Sequence, residues 1–185
     1  MSATAVLASM VAALEAVGIP SMLTGSFAAA FHGAGRATMD IDLVVDPTAS
    51  QIRSLVASLP PTQYYVSLAA ALEARTIESM FNVIDLVTGW KVDLIVRKSR
   101  PFSQAEFDRR LPIEFDGIPL AVATVEDVMI AKLEWAKLGG STRQLDDVAA
   151  LLRVNRPTID HPYLERWVGE LGLGDQWEAA RTRAG

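Results

Sequence analysis

The 185 residues contain no cysteine and only two histidines, His32 and His161. The first absence excludes disulfides and thiolate metal centres, and the second leaves too few nitrogen ligands for a zinc site. A metal in this chain is therefore a hard ion on carboxylate oxygens. Apolar runs are short and broken by charge, so no segment is long enough to cross a bilayer. The opening residues, Met1-Ser2-Ala3-Thr4-Ala5, lack the basic stretch of a secretory signal. A cytoplasmic protein without a membrane partner is the expectation. Basic side chains are also in the minority: 17 Lys and Arg stand against 22 Asp and Glu, for a net charge of −5 and a pI of about 5.0. That balance disfavours a surface made for broad nucleic-acid binding, though it leaves room for a local basic cleft.

What is present is an ordinary globular mixture, 50% hydrophobic and 21% charged, long enough to bury a core without covalent staples. Apolar spacing predicts a helix over residues 5–17, closed by Gly18. A strand over 19–23 follows and runs into Thr24-Gly25-Ser26 and a helical stretch from Phe27 to His32. Residues 39–45 read as a strand, and Thr48 caps a helix reaching Leu59. A short strand over 63–66 and a helical patch over 68–74 come next. Two hairpins complete this part, 81–87 with 91–97 about Gly89-Trp90, and 113–115 with 118–122 about Asp116-Gly117, a type I′ pair. Beyond them the pattern turns helical. Thr124 and Asp127 form a capping box for a helix to Leu138, Ser141 caps another to about Val154, and two short helices fill 160–184. The expected organisation is a single packed unit, with residues 1–122 as an α/β core and 123–185 as a helical region on it.

Two short motifs carry the chemistry. In Asp40-Ile41-Asp42-Leu43-Val44-Val45, strand alternation puts Asp40 and Asp42 on one face and Ile41 and Leu43 on the other. Two adjacent carboxylates repel, and a magnesium ion that completes its shell with phosphate oxygens is the natural compensation. Upstream, Leu23-Thr24-Gly25-Ser26 leads a strand through glycine and serine into a helix, a turn that offers backbone N–H groups and a hydroxyl to phosphate. Each motif alone has a plainer explanation, a solvated acid pair or an ordinary helix cap. Their succession is far more specific than either.

Lys132 gives an independent clue. On a helical wheel Val125, Val128, Met129, Trp135 and Ala136 share an apolar face with Lys132 in its middle, while Glu126, Asp127, Glu134 and Lys137 lie opposite. A lysine so placed must reach solvent, pair with an acid, or meet a ligand. Phosphate binding is the expectation, and a core acid such as Asp85 or Asp93 is the plainer partner. In the next helix Leu145, Val148, Ala149 and Leu152 make the buried stripe, with Arg143, Asp146 and Asp147 off it. His32 reads as a structural residue of its loop.

Residues 23–45, from Leu-Thr-Gly-Ser to Asp-Ile-Asp-Leu-Val-Val, resemble the signature of the polymerase-β-like nucleotidyltransferases. The His32-Gly33, Arg36-x-Thr38-x-Asp40 variant is most similar to the AbiEii/MenT-like enzymes of toxin–antitoxin and phage-defence systems. It is also similar to the aminoglycoside and lincosamide nucleotidyltransferases. The resemblance implies an α/β (α+β) fold, a mixed sheet flanked by helices with a C-terminal helical cap. It implies transfer of a nucleoside monophosphate from an NTP to a hydroxyl, with Mg2+ as cofactor, one ion or two, and Mn2+ as its substitute. Gly25, Ser26, Arg36 and Lys132 then bind phosphate, Asp40 and Asp42 bind metal, and a third carboxylate lies on a later strand. Asp93 and Asp85 are both lone acids in apolar strands. A two-residue hairpin loop sets them on opposite faces, a three-residue loop on one. The V-D-L-I context favours Asp93 as metal ligand and base, with Asp85 second. The late acidic motif of the resemblance falls at Asp147. The resemblance favours a toxin–antitoxin or defence role with RNA, tRNA or a protein hydroxyl as acceptor and a cognate antitoxin as partner, and a small-molecule acceptor is the alternative. A non-catalytic nucleotide- or partner-binding relative is the alternative of another class.

Overall fold

The computed structural model describes residues 2–185, and these form nine helices and seven strands. The first half runs α1 (Ala3–Ala16), β1 (Ser21–Leu23), α2 (Gly25–Phe31), β2 (Asp40–Val45), α3 (Ala49–Ser58), β3 (Tyr64–Tyr65), α4 (Leu68–Thr76), β4 (Met80–Asp85) and β5 (Lys91–Val96). The second runs α5 (Pro101–Asp108), β6 (Leu111–Phe115), β7 (Ile118–Val122), α6 (Val125–Gly139), α7 (Thr142–Asn155), α8 (His161–Glu170) and α9 (Gly174–Ala184).

The described residues gather into two compact units. One holds the chain up to Thr24 and Ala37–Val122; the other holds Gly25–Arg36 and Ala123–Gly185. The first contains all seven strands in one mixed sheet, ordered β3-β4-β5-β2-β1-β7-β6. At its centre β2 runs parallel to β5 and antiparallel to β1. Strand alternation sends Ile41, Leu43, Val83, Val92 and Leu94 to a single face, where all are essentially inaccessible. Each such side chain contributes about 1.5–3 kcal/mol of apolar burial.

Local chemistry explains where the elements of this unit start and stop. The Thr48 hydroxyl accepts the Gln51 N–H at 3.2 Å while the Gln51 side chain accepts the Thr48 N–H at 2.8 Å, a complete capping box on α3. Between β6 and β7, Asp116 and Gly117 both have positive φ, +50° and +80°, as a type I′ turn requires. The α5 helix had no counterpart in the sequence reading. Its large apolar side chains are two phenylalanines, Phe102 and Phe107, too few for a periodic signal, although Pro101 at its first turn is a legitimate start.

The second unit is helical, with α2, α7 and α8 each packed against α6 and α9 against α7. The Thr124 hydroxyl caps α6 as expected, accepting from the Asp127 N–H. Ser141 precedes α7 without a side-chain cap bond. The wheel drawn for α6 needs correcting at three positions. Glu126 and Asp127 are buried, and Trp135 is half exposed, at 51%. The acids are buried because donors meet them. Asp127 accepts from the Thr124 hydroxyl at 2.7 Å and the Tyr163 hydroxyl at 2.6 Å, and Glu126 accepts the Asp160 N–H at 2.9 Å. Among the described residues no helix is long and apolar enough to cross a membrane.

Candidate active site

The register of the central strands determines which acids meet. Asp40 pairs with Lys91 and Asp42 with Asp93 across β2 and β5, and Asn82 of β4 pairs with Asp93 from the other side. Paired positions on neighbouring strands point the same way, so Asp40, Asp42, Asp93, Lys91 and Asn82 share one face. Asp85 is an odd number of residues from Asn82 and lies on the opposite face. The loop that separates β4 from β5 is Leu86–Trp90, longer than either loop considered from the sequence.

That loop also explains Asp85. Its Oδ1 accepts the N–H groups of Val87 and Thr88, both at 2.9 Å, and folds the turn over a side chain only 1% exposed. Burial pushes the Asp85 carboxyl up, but those turn N–H groups outweigh it and hold the group below the usual carboxylate value. Asp85 is a turn-forming residue. Replacing it with alanine strands two N–H groups, and a loss of about 1–3 kcal/mol is expected in urea unfolding, with divalent-metal binding unchanged.

On the other face, Asp93 is 5% exposed and receives a donor on each oxygen. The Asn82 amide donates to Oδ1, and the Lys91 ammonium to Oδ2 at 2.9 Å. The same ammonium lies 3.3 Å from Asp40 Oδ1 and so bridges the two acids. Partial burial would lower the Lys91 pKa, but hydrogen bonding and charge from Asp93, then Asp40, hold it above the ordinary lysine value. Three carboxylates and the Lys91 ammonium thus share this face. Among the described residues no three acids or imidazoles already converge on one point, and a cation, Lys91, stands between two of the three. The donor set is hard oxygen and a stand-in cation already sits on it, so these residues fit Mg2+ in kind. Neither Lys91 nor Asn82 was singled out from the sequence. The lysine was legible, since it lies two residues from Asp93 on one strand.

Thr24 extends the β1–β2 ladder by one bond, its N–H donating to the Asp42 carbonyl at 3.0 Å. Gly25 follows with φ +65°, a left-handed conformation that suits glycine, and Ser26 is buried in α2.

In the helical unit the Lys132 ammonium is buried, as the wheel implied, at 4% exposure. Its acid partner is Asp147, with Nζ 2.7 Å from Oδ2 and 3.3 Å from Gln144 Oε1, instead of Asp85 or Asp93. The Arg36 Nε donates to the same Asp147 oxygen at 3.0 Å. Asp147, placed off the buried stripe by its spacing, is only 8% exposed, whereas Leu145 is only partly covered and Leu151 is fully buried. The cause is that α7 packs against both α6 and α9, so its covered arc is wider than one stripe. His32 serves structure here. Its Nε2–H donates to the Ala123 carbonyl at 2.8 Å, and its own carbonyl accepts the Asn155 amide at 2.9 Å.

No protein-family model matches the chain, and no curated relative is found. Solved structures do match, and they place the chain in the nucleotidyltransferase fold. The antibiotic-resistance factor ANT(2'')-Ia superposes with a TM-score of 0.60 at 13% identity, covering 98% of this chain and 97% of that one. An antigenic nucleotidyltransferase-like protein from Paracoccidioides brasiliensis gives 0.56 at 16% identity, over 96% and 91%. The lincosamide antibiotic adenylyltransferase LnuA, solved with lincomycin bound, gives 0.54 at 11% identity, over 83% and 98%.

Proposed function

We propose that this chain is a nucleotidyltransferase that moves a nucleoside monophosphate from an NTP to a hydroxyl and releases pyrophosphate. The observation that carries the reading is the common face of Asp40, Asp42 and Asp93 on adjacent central strands of a nucleotidyltransferase fold. These three carboxylates would hold Mg2+, which when bound supplies charge neutralisation for the triphosphate and for the entering and leaving oxygens. Asp93 takes the proton of the acceptor hydroxyl. The hydroxyl oxygen bonds to the α-phosphorus, the bond from that phosphorus to the bridging oxygen breaks, and pyrophosphate departs with the electron pair. Gly25 and Ser26 are the phosphate-holding turn in this reading. Arg36 and Lys132, which both contact Asp147, are the phosphate-side cations in this reading.

A small hydroxylated molecule is the acceptor class we favour. Support comes from ANT(2'')-Ia, solved in complex with adenylyl-2''-tobramycin, and from LnuA with lincomycin. The net charge of −5 points the same way, since extended RNA contacts call for basic surface. An RNA or protein acceptor, with a cognate antitoxin as partner, is the competing reading from the His32-Gly33 and Arg36-x-Thr38-x-Asp40 motif. The test is incubation with Mg2+ and each α-labelled NTP against a panel of aminoglycosides and lincosamides, total RNA and lysate protein. Asp42→Ala is the control. Label in a small molecule, lost in the variant, is expected. Label in RNA or protein moves the acceptor to the competing class, and absence of both label and NTP binding overturns the enzyme reading.

A further inference from the structure

The Lys91 ammonium lies on the three-carboxylate face, 2.9 Å from Asp93 and 3.3 Å from Asp40. A lysine whose role was only to neutralise strand acids would need one partner. This one spans two acids that the proposed function assigns to the metal, on two different strands. Strand alternation and the parallel register keep its stem on the same face, so no other side of the sheet is available to it. Each Asp93 oxygen already accepts a donor, Oδ1 from the Asn82 amide and Oδ2 from the Lys91 ammonium, so a metal competes with this contact for the carboxylate.

From this geometry we infer that Lys91 is a resident counter-ion which a divalent metal must displace, and that its charge keeps the nucleotide-free protein a weak metal binder. The inference rests on the reading of Asp40, Asp42 and Asp93 as metal ligands. An ammonium and a divalent ion cannot share the same lone pairs, and their like charges repel. Displacement costs two ion pairs, and the lysine, partly exposed, gains hydration in return. A triphosphate lowers that cost further, since it gives the displaced ammonium new oxygen partners. The metal therefore enters with the nucleotide more readily than ahead of it. Lys91 acts here through the carboxylates, as a positioning residue that sets the order of binding.

The test is Mn2+ titration of the intact, nucleotide-free protein, followed by the electron paramagnetic resonance signal of free Mn2+. The proteins compared are wild type, Lys91→Gln, Lys91→Met, Lys91→Arg and Asp42→Ala, each checked for native circular dichroism. Lys91→Gln and Lys91→Met are expected to bind Mn2+ about tenfold more tightly than wild type, while Lys91→Arg stays near it. Adding an α,β-methylene NTP analogue should tighten wild type more than Lys91→Gln and so narrow the gap. In metal-free buffer the neutral variants should melt lower than wild type, with a larger upward shift on Mn2+ addition. Mn2+ binding by wild type that the neutral variants do not improve overturns the inference and leaves the enzyme reading standing. Equal tightening in Lys91→Arg overturns it too, because packing and not charge would then be the agent. If wild type and every variant bind no Mn2+ with or without the analogue, the metal-site reading falls and takes the inference with it.

Discussion

Asp93→Asn is expected to leave the fold intact and to lower nucleotidyl transfer by about a thousandfold or more. The substitution conserves shape at a buried position, and an amide still offers an oxygen to Lys91 or Asn82, so the β4–β5 pairing has little reason to change. What it removes is a negative charge and a base. General-base catalysis alone is worth about 10²–10⁴ in rate, and a missing carboxylate also weakens the charge balance on which the metal would depend. The loss should fall on the chemical step. Single-turnover rates with α-labelled NTP should collapse, while the affinity for a non-hydrolysable analogue moves by only a few fold. Asp85→Asn, on the opposite face, should leave both unchanged. A drop of less than about tenfold for Asp93→Asn would remove Asp93 from the role of base.

The contrast between Asp93 and Asp85 shows where local sequence stops being informative. Alternation within Asp40–Val45 is a property of any strand, so the shared face of Asp40 and Asp42 could be read directly. The same rule was sufficient to put Lys91 on the face of Asp93, a step the sequence reading did not take, yet it says nothing of whether an ammonium will bridge to another strand. Asp93 and Asp85 needed the register of a hairpin, and register is set by a five-residue loop whose shape depends on the Asp85 side chain itself. Asn82 was illegible for the same reason, since its place opposite Asp93 is a cross-strand fact. In the helical unit the wheel located Lys132 but treated each helix as having one covered side. Asp127 and Asp147 escaped it because α6 and α7 are enclosed from more than one direction, and their partners, Tyr163 and Arg36, are distant in sequence. Capping signals located helix starts both where two side chains cooperate locally, as at Thr48 with Gln51, and at Ser141, the N-cap residue of α7, where the lone serine makes no side-chain bond.

Asp147→Ala is expected to be the most destabilising single substitution among the site residues, at about 3–5 kcal/mol in urea unfolding. Lys132 is almost fully buried, and its ammonium has Asp147 as its close carboxylate at 2.7 Å, with Gln144 further off at 3.3 Å. Removing the acid leaves that charge enclosed and also deletes the Arg36 contact. The cost belongs to the stranded charge more than to the lost bond, and this makes it testable by a cycle. Lys132→Met replaces the ammonium with an apolar chain of similar length and should cost far less, since Asp147 keeps Arg36. The double variant should then recover part of the stability lost in Asp147→Ala, a coupling that independent sites would not show. Nucleotide supplies a second handle. If Lys132 and Arg36 are phosphate ligands, NTP supplies the anion that Asp147→Ala lacks, and the variant should gain more in melting temperature from NTP than wild type does. A loss below about 1 kcal/mol would show that Asp147 is not the group that holds these two cations in place, and no difference in NTP response would remove them as phosphate ligands.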